Sequence, residues 1–395
     1  MTSLPAPTDQ LASVAKYVLD RAISLGATEA DVLAAEGDSV SVQVRLSAVD
    51  RLAKAREKSL GLRVFFGKRS ASASTSDFSK KSLNHFVTDT CALAKAVAED
   101  EMSGLPETHL MDKDLPDLEV HDPTQLTVEE EISLARRAEK AAMSVDQRIS
   151  NSEGADCGAS HGSLLLANSH GFFGVHQSST FSLSVSPIAT DSNGGGMQRD
   201  FWYSVSPKLK GLESPESVGK EAARRTIRRL GAQKISTQEV PVIFDPETAQ
   251  SLLGHLASAI SGYSLYKGAS FLLGQLGHQL APEFVNIHDD GRLMGGLGSR
   301  PFDGEGMATR KTPIIERGVL TNYLLDTYSG RKLGMASTGN ASRSVGDNPS
   351  VGVTNFYLDP GVATPAEIIG SVRQGLYVTE LIGFGVNMVT GDYSR

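Results

Sequence analysis

The chain has 395 residues, a length that at roughly 150 residues per domain predicts two or three domains. With 40% hydrophobic and 21% charged residues it has a globular composition, which excludes disorder over most of its length. A net charge of −8, from 38 Lys and Arg against 46 Asp and Glu, excludes a nucleic-acid-coating surface, and two cysteines, Cys91 and Cys157, cannot build a disulfide framework.

No apolar run approaches the roughly 18 residues that span a bilayer. The N-terminus shows no basic segment followed by an apolar core, so the cytoplasm is the expected location, without membrane contact. Leu11, Val14, Ala15, Val18, Leu19 and Ala22 recur at helical spacing and predict an amphipathic helix, with Thr8 able to cap its start and Gly26 its end. Val40, Val42, Val44 and Leu46 then alternate with polar residues, as in a half-buried strand. Leu60 to Phe66 and Ser70 to Ser76 read as further strands. Leu83, Phe86, Val87, Ala94 and Val97 return to helical spacing. Residues 1–102 are thus expected to form one α+β unit.

Residues 103–125 hold Pro106, Pro116 and Pro123 among acidic residues and read as a linker or crossing segment. Thr127 and Glu130 stand at capping-box spacing before the next helix. Strands follow from Ile149 to about Thr190, then a glycine loop at Asn193–Gly196. Ser214-Pro215-Glu216 opens a helix that Gly231 closes. Residues 126–235 therefore repeat the helix, strands, helix order.

The last unit, 236–395, starts with a short strand, Val240 to Phe244, and an Asp245-Pro246 cap. Ala249, Leu252, Leu253, Leu256, Ala257 and Ile260 form one helical face, stopped by Gly262. Beyond it glycines are dense, and Arg317-Gly318 between two apolar runs predicts a hairpin. The expected fold is α+β: N-terminal units with antiparallel sheets and flanking helices, then a β-rich C-terminal domain with a curled or barrel-like sheet.

Few patterns carry chemistry. Gly158-Ala159-Ser160-His161-Gly162 matches G-x-S-x-G, but the following Ser163 to Leu166 continues as strand, whereas a nucleophile elbow needs a helix there. Gly61 and Gly67-Lys68 miss the phosphate-loop spacing by one residue, and no Ser or Thr follows the lysine. Cys91 falls at a helical position that reads as buried. Among nine histidines, His255, His278 and His288 fall in the last unit, with Asp289 and Asp290 beside the third. His255 has no His, Glu or Asp three to five residues away, so its helix offers one ligand at most, and a hydrogen-bonded structural histidine is the better reading. Arg300, Asp303 and Glu305 sit in a Gly-rich loop, Ser299 to Gly306. That loop suits a peptide, an interface, or simply a stabilised turn.

Three C-terminal stretches are family-like: Leu253 to Gly262, Ser299 to Gly306, and Thr379 to Gly383 with Thr390 to Arg395. Tyr328 to Gly334, Ser337 to Asn340, Gly61 to Val64 and Ser74 to Asp77 fit the same pattern. Together they resemble the TldD/PmbA family, on its PmbA (TldE) side, along essentially the whole chain. The resemblance implies a role in a peptidase system that matures peptide-antibiotic precursors and degrades unfolded or antitoxin peptides, whose older name is modulator of DNA gyrase. TldD-type chains carry an HExxxH helix and a late cysteine that hold zinc. PmbA-type chains lack the motif and pair with a TldD-type chain.

On the candidate helix the ligand positions would be Gly254 and Ala259, or His255 and Ile260, and the general base His255 or Leu256. Neither alignment supplies two ligands and a glutamate. The resemblance thus implies a catalytically silent subunit without its own cofactor, zinc in the TldD-like partner, a peptide substrate, and a homodimer when that partner is missing. Family members continue past Arg395 with further strands, so the C-terminal sheet is expected to be incomplete. The rival readings are a self-sufficient metallopeptidase built on His255, His278, His288 and Asp289, and a peptide-binding module without a protease connection.

Overall fold

Leu11, Ala15, Val18 and Ala22 are the buried face of α1 (Pro7–Ser24) in the computed structural model, which describes residues 7–191, 196–383 and 385–395. The helix begins at Pro7, so Thr8 lies in its first turn rather than ahead of it. Residues 193–195 of the expected glycine loop lie outside the described residues. The strands that follow are β1 (Glu29–Arg45), β2 (Ala48–Phe66), β3 (Arg69–Thr75), β4 (Ile149–Asn168), β5 (Phe173–Thr190), β6 (Met197–Arg199) and β7 (Trp202–Ser206). Their order is β3-β2-β1-β4-β5-β6, with β7 also on β5, and every pairing is antiparallel. β1 pairs with β4 from Asp31 opposite Asn168 to Val44 opposite Ala155. The segments 1–102 and 126–235 therefore share one curled sheet. Gly158 to Gly162 lies in the middle of β4, with strand on both sides.

The pleat sends alternate β1 residues to opposite faces. Ala30, Val32 and Ala34 pack with α1 and α2 (Lys80–Ala96), while Val42 and Val44 pack with α3 (Val128–Met143) and α4 (Pro215–Ile227). Two helix pairs thus cover the two ends of one face. α3 starts with the expected capping box between Thr127 and Glu130. α4 lies so close to α3 that a Cβ on Gly219 would collide with the Ala138 carbonyl. On the opposite face Leu33 and Leu166 meet Met111, Phe172 and Phe302, which brings the C-terminal unit onto the sheet. The 103–125 segment crosses this face, with Met111, Leu118 and Val120 buried and the Val120 carbonyl accepting the Ser179 N–H at 3.0 Å.

In the C-terminal unit β8 (Val242–Phe244) and α5 (Pro246–Ala259) come first, α5 capped by Asp245. Then follow α6 (Gly262–Tyr266), β9 (Ile287–Asp290), β10 (Lys311–Glu316), β11 (Val319–Leu320), α7 (Thr327–Leu333), β12 (Ala341–Ser342), β13 (Ser350–Val351) and β14 (Phe356–Leu358). α8 (Pro365–Ser371), β15 (Leu376–Val378), β16 (Gly385–Val386) and β17 (Tyr393–Ser394) complete it. Strands β11-β10-β9-β14 form a sheet, β12 pairs with β13, β8 pairs in parallel with β15, and β16 pairs with β17. The expected hairpin at Arg317-Gly318 is the β10–β11 turn. Helices α6, α7 and α8 join the single helix read from the pattern. They were missed because each spans seven residues or fewer, too short for a helical period to show. No helix among the described residues is long and apolar enough to cross a membrane.

Two buried glutamates of α3 act in opposite senses. Leu46 and Ser47, at the β1–β2 turn, both have positive φ, at 49° and 66°, without a glycine between them. The Glu139 carboxylate accepts both N–H groups of that turn, at 2.9 and 2.8 Å, and so holds a conformation these residues disfavour. Glu139→Ala should lower stability by about 2 kcal/mol in urea unfolding, the value of hydrogen bonds to a charged acceptor. Glu131 is buried with no partner for either carboxylate oxygen, and burial pushes its pKa up to about 7. A raised folded-state pKa favours folding while the group stays protonated, so this contribution is lost as pH rises from about 4.5 through 7. Glu131→Gln should remove that loss, raising Tm at pH 8 by roughly 2–5 °C while changing little at pH 5. An equal shift at both pH values would contradict the assignment.

Candidate functional site

α5 is the helix on which the family resemblance places the metal-ligand positions. Ala259 and Ile260 are wholly buried in the C-terminal core, where they serve packing. His255 is half-buried, and its Nε2 accepts a hydrogen bond from the Arg395 guanidinium at 2.8 Å, with the Tyr393 ring 6.4 Å away edge to face. Burial and then the Arg395 charge hold His255 below the usual histidine range. His288 directs Nε2 to Asp359 at 3.1 Å and tilts against Tyr357, while His278 is exposed. Asp289 is buried elsewhere, accepting from Asn340 and from the Thr354 N–H. The structure therefore brings none of these candidates together. No group of three or more His, Cys, Asp or Glu side chains placed to hold a metal ion occurs among the described residues. A resident zinc ion does not fit the donors that α5 and its neighbours offer.

The loop from Ser299 to Gly306 is buried rather than exposed. Asp303 builds its turn: Oδ1 accepts from the N–H groups of Glu305 and Met307, at 2.9 and 3.0 Å, and Oδ2 accepts from Ala341 N–H at 3.0 Å. Burial raises the Asp303 pKa despite these bonds. Arg300 lies behind it, facing the charges of Asp303 and Asp289, with Nε and Nη2 unpartnered. Next to Arg300, His176 of β5 is half-buried, and loss of solvation, with the Arg300 charge, pushes its pKa down to about 4. Glu305 points another way. Its Oε2 accepts the Thr327 N–H at 2.9 Å, and its Oε1 lies 3.8 Å from Arg63 of β2.

Through Glu305 the loop joins a charge network that crosses from the sheet to the C-terminal unit. Asp31 and Arg63 stand directly opposite on β1 and β2. Arg63 donates to Asp31 Oδ2 through Nε at 2.9 Å and Nη2 at 2.5 Å, and Arg343 donates to Oδ1 at 2.6 Å. Burial would raise the Asp31 pKa, but Arg343 and Arg63 outweigh it and hold the carboxyl below its ordinary range. Beside this network opens a cavity of about 450 Å³, with Arg63, Glu305 and Asp326 on its floor and Tyr263, Tyr266 and Tyr328 on its wall. Sequence reasoning singled out Glu305 but not Asp31, Arg343 or Asp326. Their only signal was position: Asp326 and Arg343 lie next to family-like stretches, and Arg63 lies inside one.

Three domains of the PmbA/TldA metallopeptidase family match the chain: domain 1 over residues 30–99, the central domain over 121–230 and the C-terminal domain over 237–395. The chain belongs to the PmbA/TldD metallopeptidase family. Within it the chain is PmbA-like. It is 37% identical over 393 residues to the metalloprotease PmbA homolog of Haemophilus influenzae, covering 99% of this chain and 84% of that protein. It is also 37% identical over 366 residues to metalloprotease PmbA of Escherichia coli O157:H7, covering 93% and 79%. A crystal structure from Bacteroides thetaiotaomicron, described as a modulator of DNA gyrase, superposes with a TM-score of 0.90 at 27% identity, covering 99% of this chain and 86% of that one.

Asp31→Ala would leave Arg63 and Arg343 buried without their shared carboxylate and should cost about 3–5 kcal/mol in urea unfolding. Adding Arg343→Met should recover part of that loss, because one stranded cation is removed. Purely additive losses would contradict the network.

Proposed function

We propose that this chain is the catalytically silent subunit of a TldD/PmbA-type peptidase complex in the cytoplasm, helping to enclose peptides that a TldD-like partner cleaves with its own zinc. One observation carries the reading: at the positions where a catalytic helix would present zinc ligands, α5 presents a glycine, buried apolar residues and a single histidine tied to Arg395. Zinc-assisted hydrolysis needs several ligands and a base for the metal-bound water, and this helix supplies neither set.

The sheet offers a means of holding a peptide. β2 pairs with β1 from Ala48 to Phe65, but β3 covers its other side only from Leu60 onward. Residues 48–59 therefore form an open strand edge, and main-chain hydrogen bonds along such an edge bind extended peptides with little demand on sequence. Lysines and arginines on the same edge also discourage self-association.

Co-expression with a TldD-like chain should give a stable one-to-one complex on a sizing column, with peptide cleavage only when both chains are present. Elemental mass spectrometry should find zinc in the complex and none in this chain alone. Zinc near one per isolated chain, lost on His255→Ala, would overturn the reading in favour of a self-sufficient peptidase. Peptide binding without cleavage, even with the partner added, would favour a free-standing binding module.

A further inference from the structure

The cavity beside Arg63 has features that neither the family nor the α5 helix explains. Its lining comes from both sides of the junction, from β2 and the segment after α2 on one side and from α6 and α7 on the other. Interdomain cavities of this size are common ligand sites.

Charge decides what it can hold. Arg63 lines it together with Asp100, Glu305 and Asp326. Behind the lining Arg343 pairs with Asp31, and Lys332 lies 3.6 Å from Asp100, so these three positive and four negative groups leave one negative charge in excess when all are ionised. Asp31 already takes the Arg63 fork and one Arg343 N–H. Glu305 Oε1 has Arg63 only at 3.8 Å, beyond hydrogen-bond reach. Asp326 uses Oδ1 alone to bond Ser329. Glu305 and Asp326 are 3% and 4% exposed. Each thus keeps acceptor capacity in a place water hardly reaches. Burial pushes the Glu305 pKa up to about 7, opposed by Arg63 and reinforced by Asp303 and Asp326. An added cation would let it ionise.

The wall has the matching character. Tyr263, Tyr266 and Tyr328 stand edge to face, with ring centroids 5.5 and 5.8 Å apart. Tyr328 Oη donates to Asp100 at 2.7 Å, which fixes that ring. On the rim Lys267 lies 5.5 Å from the Tyr266 centroid and Lys332 5.3 Å from that of Tyr328, so these rings already attract ammonium groups.

We propose that this cavity binds a protonated primary amine on an apolar arm, with the ammonium between Glu305 and Asp326 and the arm against the tyrosines. An anion would face the carboxylates with Arg63 already engaged. A neutral arm would leave the excess charge uncompensated. A peptide N-terminus and a lysine side chain share the required chemistry.

Isothermal titration of the full chain with phenethylamine should show binding, and phenethyl alcohol, the same shape without the charge, should bind at least about tenfold more weakly. Glu305→Gln and Tyr266→Ala should each weaken phenethylamine by about tenfold or more, the loss of one charge-assisted or ring contact. Tyr266 is only half-buried on the wall, so its variant decides the matter if Glu305→Gln does not fold. Among peptides, binding of Phe-Ala-Ala-amide but not its N-acetylated form assigns the site to an N-terminus. Binding of N-acetyl-Ala-Lys-Ala-amide assigns it to a lysine. If phenethylamine binds and neither peptide does, the site stands with a small amine as its ligand. Equal affinity for amine and alcohol, no amine binding by folded wild type, or binding unchanged in the folded variants would overturn the proposal.

Discussion

Asp31 lies on β1 with its carboxylate shared between two guanidinium groups, Arg63 on the neighbouring strand and Arg343 in the C-terminal unit. Sequestering three charges from water carries a large desolvation cost, and apolar residues of the same shape would often be as stable. What the network adds is direction. Both carboxylate oxygens, the Arg63 fork and one Arg343 N–H are satisfied in one relative placement of sheet and C-terminal unit. The apolar contact beside it, Phe302 against Phe172 at 5.2 Å, supplies burial but tolerates sliding far better than hydrogen bonds do.

The same placement explains why β1 is buried on both faces at its start. Ala30, Val32 and Ala34 meet α1 and α2, while Asp31 and Leu33 meet the C-terminal unit. Further along, Val42 and Val44 meet α3 and α4, and the opposite face is left more open. A second buried cluster joins the units near the other helix pair. Arg225 of α4 reaches Asp245, the cap of α5, which also accepts from Tyr377 at 2.7 Å. Helix α5 is therefore firmly anchored at its start.

Legibility along the chain follows from exposure. The alternation at Val40 to Leu46 announced a strand because one face there is wet. Residues 30–34 gave no such alternation, being buried on both sides, and the strand proved to start at Glu29. The first half of β2 escaped notice for the opposite reason, since Ala48 to Lys58 is mostly exposed on both faces. Local cap chemistry was readable in part: Thr127, Ser214 and Asp245 cap the helices that follow them, while Thr8 lies within α1. Among candidate site residues, Glu305 and Asp303 were visible as acids in a glycine-rich loop, but spacing could not show that one builds the turn while the other faces a cavity.

The sequence by itself determined the longer helices, several of their caps, and, through family-like stretches in order along the chain, the family. Each of these depends on residues close together or on motifs read in place. The tertiary structure alone decided that residues 1–102 and 126–235 share one sheet, that His255 meets Arg395, and that Asp31, Arg63, Arg343, Glu305 and Asp326 converge beside one cavity. Asp31 and Arg343 are separated by 312 positions, and only strand register and the docking of the C-terminal unit bring such groups within hydrogen-bond distance.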